Sequence, residues 1–194
     1  MKLMGRLIQL PDSQKVFGAL VYMYAEYYSP NKASELVAKV KENQFHLSLS
    51  NLLPSGYLPV PHAYLLDQLE DMTLEKETRK KLYQAVKKLE YVKLEQLKAL
   101  LGRPREAESI YPYVYSNASQ QIHASLDSLR YDMPGLSPNL YSVPEITIVE
   151  QQRSEGVEEG SRTVVVDFSA FLSMDQGEES KEIIDVLNQA IQDG

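Results

Sequence analysis

The sequence predicts an α+β chain, and three observations carry that expectation. Stretches with helical apolar spacing, the first two of them capped, occupy residues 12–28, 31–42, 74–90 and 178–192. Two β-rich runs, 140–149 and 163–168, flank a charged, glycine-bearing loop, QQRSEGVEEGSR. Between the helical stretches 31–42 and 74–90 lie proline-broken extended pieces, FHLSLSNLLPSGYLPVPHAYLL. With 194 residues, 43% of them hydrophobic, the chain is long enough to bury a core as one domain or slightly more.

The elements follow in order. Asp12 or Ser13 caps the first helix by accepting a free N–H of its first turn. Val16, Leu20, Met23, Tyr24 and Tyr27 recur on one side, and Phe17, Val21 and Tyr28 widen the stripe. A helix so broadly apolar is expected to be buried on more than one side. Gly18 costs about 1 kcal/mol against Ala in a helix interior, so close approach of a neighbour is expected there. Ser29-Pro30 reads as an N-cap with Pro at the first helical position. Leu36, Val37 and Val40 face inward from the second helix. From Phe45 the period changes, and Pro54, Gly56, Pro59 and Pro61 restrict the chain to an edge strand or irregular extended backbone.

The third helix, 74–90, sets Leu82, Val86 and Leu89 against its lysines. Residues 91–94 form a short extended link, and 95–101 a last helical turn stopped by Gly102 and Pro104. Residues 103–139 read as irregular, and so long a connection is expected to be functional or mobile. Strands 140–149 and 163–168 close into a hairpin with a solvated tip. The final helix, 178–192, buries Ile183, Leu187, Ala190 and Ile191.

Several function classes are excluded. There is no cysteine, hence no disulfide and no thiolate metal site; this fits a reducing, cytoplasmic setting. No apolar run reaches the roughly 18–20 residues of a membrane span. No GxGxxG, P-loop or Gly-x-Ser-x-Gly elbow occurs, so no cofactor is implied. His46, His62 and His123 fall in separate segments without ligand spacing. The paired carboxylates Glu158-Glu159 and Glu178-Glu179 read as solvated faces.

A net charge of −7 opposes general nucleic-acid affinity, which needs phosphate neutralisation. The bases, however, cluster between Lys76 and Arg105, so any basic surface is local. The segment RPREAESIYPYVYSNASQQIHASLDSLRY mixes Arg103, Arg105 and Arg130 with Tyr111, Tyr113, Tyr115 and Tyr131. Tyrosines stack splayed bases and arginines hold phosphates. Equally, such a loop packs its tyrosines on its own domain; both readings stand at this point. His123, near Arg130 and Tyr131, offers an acid–base group for a 2′-hydroxyl.

Several stretches in order resemble the CRISPR-associated RAMP proteins, and more narrowly the fourth Csm-type subunit of the type III-A effector complex. Gly5-Arg6-Leu7 followed by the Asp-capped helix DSQKVFGAL, then YLPVP, then KKLEYVKLEQLKALL, then NLYSVPEITI and TVVVDFSAFL, then EIIDVLNQAIQDG are similar to that family's successive elements. The resemblance implies a ferredoxin-like, RRM-type fold in one domain, 1–194, with a thumb-like insertion at 102–139. It implies a non-catalytic subunit of an antiviral complex that grips the 5′ repeat-derived handle of the CRISPR RNA. Its implied partners are a Cas10-type large subunit and the first backbone RAMP subunit, with no membrane.

The RNA candidates on this reading are Arg6, Ser13, Lys15, Arg103, Arg105, His123, Arg130 and Tyr131. Arg6, Ser13 and Lys15 stand at the helix N-terminus, whose free N–H groups and positive dipole end suit a phosphate. The pattern departs from the family twice. Only four residues precede Gly5, and the chain stops at Gly194, where a glycine-rich loop is expected to begin. The sheet is therefore expected to be incomplete and the chain to look truncated. Two other functions compete: a truncated homologue acting as a decoy that blocks assembly, and a RAMP-type endoribonuclease using His123.

Overall fold

The computed structural model describes residues 8–124, 140–153 and 161–192, with the backbone alone at 121–124, 140 and 141. The helices are α1 (Ser13–Tyr27), α2 (Pro30–Lys41), α3 (His62–Asp71), α4 (Lys76–Lys88), α5 (Leu94–Gly102) and α6 (Glu178–Gln192), with a 3-10 helix at Pro104–Ser109. The strands are β1 (Leu47–Leu49), β2 (Leu53–Pro54), β3 (Leu58–Pro59), β4 (Tyr91–Val92), β5 (Tyr113–Ala124), β6 (Leu140–Gln151), β7 (Arg162–Val164), β8 (Phe168–Ser169) and β9 (Leu172–Met174). β1 pairs with β9, β2 with β8, and β3-β4-β5-β6-β7 form a five-stranded sheet. The α+β class holds. The chain divides into two compact units, one built from Leu10–Leu53 and the chain from Phe168 onward, the other from Pro54–Asp167.

In the first unit, α1, α2 and α6 enclose one apolar cluster against the antiparallel β1–β9 pair. Leu20, Tyr24, Ala33, Leu36, Phe45, Ile183 and Val186 are buried. Asp12 caps α1, its Oδ1 accepting from Lys15 N at 2.9 Å, and Ser29 caps α2 ahead of Pro30. The stripe of α1 is narrower than its composition predicts. Leu20 and Tyr24 are its buried residues, whereas Tyr27 is 48% exposed and Tyr22 67% exposed. A Cβ at Gly18 meets nothing within 4 Å, so no close approach explains that glycine. The rest of the expected stripe, Val16, Phe17, Val21, Met23 and Tyr28, is half-buried.

The second unit packs α3, α4, α5 and the 3-10 helix around Leu65, Leu69, Leu82, Val86, Leu89, Val92 and Leu100. Each such side chain contributes about 1.5–3 kcal/mol when fully buried. Its sheet is antiparallel throughout, and β5 runs beside β6 for twelve pairs, from Tyr113↔Gln151 to Ala124↔Leu140. β7 joins β6 only at Val149–Gln151, so Pro144 sits on a stretch paired on one side, where a missing N–H breaks no ladder.

Three expectations need correction. Residues 62–66, read as the end of the extended run, instead open α3, because Leu65 and Leu69 fall one turn apart and both are buried. Part of the stretch read as irregular is ordered: the 3-10 helix and β5 occupy 104–124, with backbone polar groups satisfied by β6 and β4. The single strand expected at 163–168 is two, β7 and β8. Val165 N donates to Ile148 O at 2.9 Å, and beyond it the Asp167 carbonyl accepts from Ser55 N at 3.0 Å, so the chain leaves β6. Pro54 to Tyr57 form a β-turn closed by Tyr57 N donating to Pro54 O at 3.0 Å. Gly56, at φ 81°, supplies the left-handed position.

Candidate nucleic-acid interface

The sequence-predicted residues fall into separate places. Ser13 and Lys15 open α1 in the first unit; Arg103 and Arg105 precede and open the 3-10 helix in the second. His123 lies on β5 opposite Tyr141 in register. Arg6, Arg130 and Tyr131 lie outside the described residues.

The N-terminus of α1 is already engaged. Ser13 N donates to Asn51 Oδ1 at 2.8 Å and Lys15 N to Asp12 Oδ1 at 2.9 Å. Val16 N donates to the Asp12 carbonyl at 3.0 Å. The Lys15 ammonium stands 4.0 Å from Asp12 Oδ2. What remains toward an anion is the Gln14 N–H and the exposed Lys15 head, beside an opposing carboxylate. Arg103 ion-pairs with Glu106 at 2.6 Å, and both it and Arg105 are exposed.

A charged pocket of about 180 Å³ sits between α1, α2 and α6, lined by Tyr24, Lys32, Glu35, Lys39, Glu179 and Glu182 among others. Glu182 accepts from the Tyr24 hydroxyl and, at 2.5 Å, from Lys32 Nζ. Lys39 Nζ donates to Glu179 at 2.5 Å. Burial and the bond to Glu182 push the Tyr24 hydroxyl well above its ordinary value. The Lys32 and Tyr24 bonds hold Glu182 below the carboxylate range, and Lys39 does the same for Glu179. Glu179 is thus no merely solvated acid. Its role was hidden because its lysine lies 140 residues away in the chain.

The second unit holds a different groove, about 240 Å³, between α4 and the chain from Ala107 to Tyr113. Lys81, Gln84 and Lys88 line one wall at helical spacing, beside the core stripe of Leu82 and Val86. Glu108, Tyr111 and Tyr113 line the other. The Tyr113 ring lies 5.4 Å from Tyr111 and 6.0 Å from Tyr115, a short ladder of tilted rings. Gln96 steadies its end, donating from Nε2 to the Tyr111 carbonyl at 2.9 Å. Tyr113 and Tyr115 are half-buried, and Tyr111 is 39% exposed. The two readings of these tyrosines are therefore both partly met: the inner rings pack on their own unit and the outer one is presented. Arg79, by contrast, is structural, donating to the Met72 carbonyl at the end of α3 at 3.1 Å.

Elsewhere in this unit, Tyr57 donates to Glu150 at 2.5 Å, and Glu90 accepts from Ser116 N at 3.0 Å and Oγ at 2.7 Å. Among the described residues no three His, Asp or Glu side chains converge as metal ligands, and no helix is long and apolar enough to cross a membrane.

No protein-family model and no curated protein matches the chain. Solved structures do. A Csm1-Csm4 cassette in complex with cA4 matches with a TM-score of 0.57 at 19% identity, over 99% of this chain. The cassettes in complex with pppApA and with AMPPNP match at 0.52 and 0.51, each at 18% identity over 96% of this chain. The chain spans 64% of the length of each matched chain. In fold, this chain is a counterpart of a chain of the Csm1-Csm4 cassette, as the ordered resemblance to a Csm-type RAMP subunit implies.

Proposed function

We propose that the chain is a non-catalytic, RNA-binding scaffold component of a type III-A CRISPR effector complex. It holds the 5′ handle of the CRISPR RNA and contacts a Cas10-type subunit and a backbone RAMP subunit. The observation that carries this is the match to the cA4-bound Csm1-Csm4 cassette across 99% of the chain. On this reading the first unit is the RAMP-type, ferredoxin-like half, supported by α1 and α6 packed on one cluster against a β-pair. The 102–139 segment is the thumb-like insertion, and the RNA candidates of the chain remain Arg6, Ser13, Lys15, Arg103, Arg105, His123, Arg130 and Tyr131.

The test is co-expression with a Cas10-type subunit, a backbone subunit and a CRISPR RNA. The expected result is a purified complex retaining the chain and the RNA; a complex that never contains the chain removes the reading. Entry into the complex together with weakened interference would identify a decoy instead. Cleavage of a repeat RNA by the wild type, lost in His123→Ala, would overturn the non-catalytic assignment.

A further inference from the structure

We infer that the groove between α4 and the chain from Ala107 to Tyr113 seats one unpaired nucleotide of a single strand. Its base stacks on Tyr111 and its flanking phosphates rest on Lys81 and Lys88. The inference rests on the RNA-binding reading above and adds to it a place and a set of residues outside the α1 terminus and the arginines.

Size comes first. At about 240 Å³ the groove is below the roughly 300–1,000 Å³ of pockets that take a whole small ligand. It suits one segment of a longer molecule. Its chemistry is divided by wall. The α4 wall offers two ammonium groups, and neither Lys81 nor Lys88 makes an ion pair among the described residues. Seven residues apart, they stand about 10 Å from each other along the helix axis, on one face. The opposite wall offers an aromatic face and one carboxylate, Glu108. Glu108 repels phosphate, so a strand's backbone falls on the lysine side and its base on the tyrosine side. There Glu108 accepts from an exocyclic amino group or a sugar hydroxyl, while Gln84 both donates and accepts.

Tyr111 is prepared for this role by its neighbours. Tyr113 backs its ring, and Gln96 holds its carbonyl, so little is lost when a base settles on it. Stacking is tolerant of base identity, and the groove accordingly discriminates single strands from duplexes more than one base from another.

The test is fluorescence anisotropy of the full chain with a labelled short oligouridine RNA, and with the matching DNA, at rising salt. Lys81→Ala/Lys88→Ala is expected to weaken RNA binding by about 10-fold or more and to lower the salt slope by about 1.4, two phosphates at about 0.7 each. Tyr111→Leu is expected to lose roughly 5- to 150-fold, one stacked base, with the slope unchanged. Tyr111→Phe, keeping the ring, should bind within about 2-fold of wild type. Lys41→Ala/Lys98→Ala removes two exposed lysines elsewhere and controls for net charge. Parallel losses on DNA support a single-strand seat; losses confined to RNA support one that also reads the sugar hydroxyl. Groove variants that bind like the Lys41/Lys98 control overturn the inference even if the chain enters the complex, and so does a wild type that binds neither strand. Failure of the functional reading shows instead as absence from the complex.

Discussion

Lys32 and Lys39 in the first unit and Lys81 and Lys88 in the second sit on similar amphipathic helices and meet opposite fates. The first pair is taken by Glu182 and Glu179, each at 2.5 Å, in a pocket that also engages the Tyr24 hydroxyl. The second pair faces tyrosines across an open groove with one carboxylate on its far wall. A lysine-lined concavity is therefore not by itself an anion site. What decides is whether acids from a distant part of the chain reach it first. The first pocket ties a terminal helix to two others; the second leaves its charge available.

Four changes break or sharpen that contrast. The largest effect is expected from Leu65→Ala. This fully buried side chain underlies α4, and its loss should destabilise the second unit by about 2–5 kcal/mol in a denaturant melt. RNA binding should then fail with the fold rather than with the groove. Next, Glu182→Ala leaves Tyr24 and Lys32 without their shared acceptor. It should cost about 1–3 kcal/mol, mostly from the buried hydroxyl, while RNA binding by the groove is unchanged. A melt within error of wild type would mean that the first pocket is no clasp. Smaller again, Lys81→Ala/Lys88→Ala should alter stability by no more than about 0.5 kcal/mol, since neither ammonium is tied to an acid. A clear loss of stability there would place these lysines in the same class as Lys32.

The smallest effect concerns pH. Glu182 and Glu179 are held below the ordinary carboxylate value, so in the folded state they bind protons less readily than in the unfolded chain. Their contribution is fully present above the unfolded value of about 4.3, and is lost as pH falls from there through their lowered folded values. The acid limb of a circular-dichroism titration should flatten in Glu182→Gln. An acid limb identical to wild type would show that the pair stores no pH-dependent stability.

Much of the local structure was legible from single residues. Asp12, Ser29 and Pro30 fix two helix starts because capping is a matter of neighbours in sequence. Leu82 and Val86 face inward as expected, and the final helix spans 178–192 as expected. Of its expected stripe, however, only Ile183 is buried: Leu187 is half-buried, Ala190 and Ile191 are exposed, and Val186 is buried instead, because the cluster with α1 and α2 covers one narrow face. The failures have a common cause. α3 follows a proline run whose extended bias is local, whereas Leu65 and Leu69 are buried by α4 and the 3-10 helix. β5 lacks the alternation of a buried strand over 116–120, where the chain is polar, and it is held instead by its twelve-residue register with β6. For the groove, Tyr111, Tyr113 and Tyr115 were visible as a cluster with arginines. The residues that face Tyr111 and Tyr113 in the groove, Lys81, Gln84 and Lys88, come from a helix more than twenty residues earlier.

By itself, then, the sequence determined the α+β class, the capped helices, the absence of thiol chemistry and the ordered likeness that the cassette structures match. These depend on periodicity, on caps within a few residues and on composition. Only the tertiary structure decided which lysines are spent on acids, that Tyr24 turns inward while Tyr22 and Tyr27 face out, and that Tyr111 stands opposite α4. Those outcomes turn on pairings across up to 158 residues of chain, and a charge or a ring carries no mark of its distant partner until the fold brings the two together.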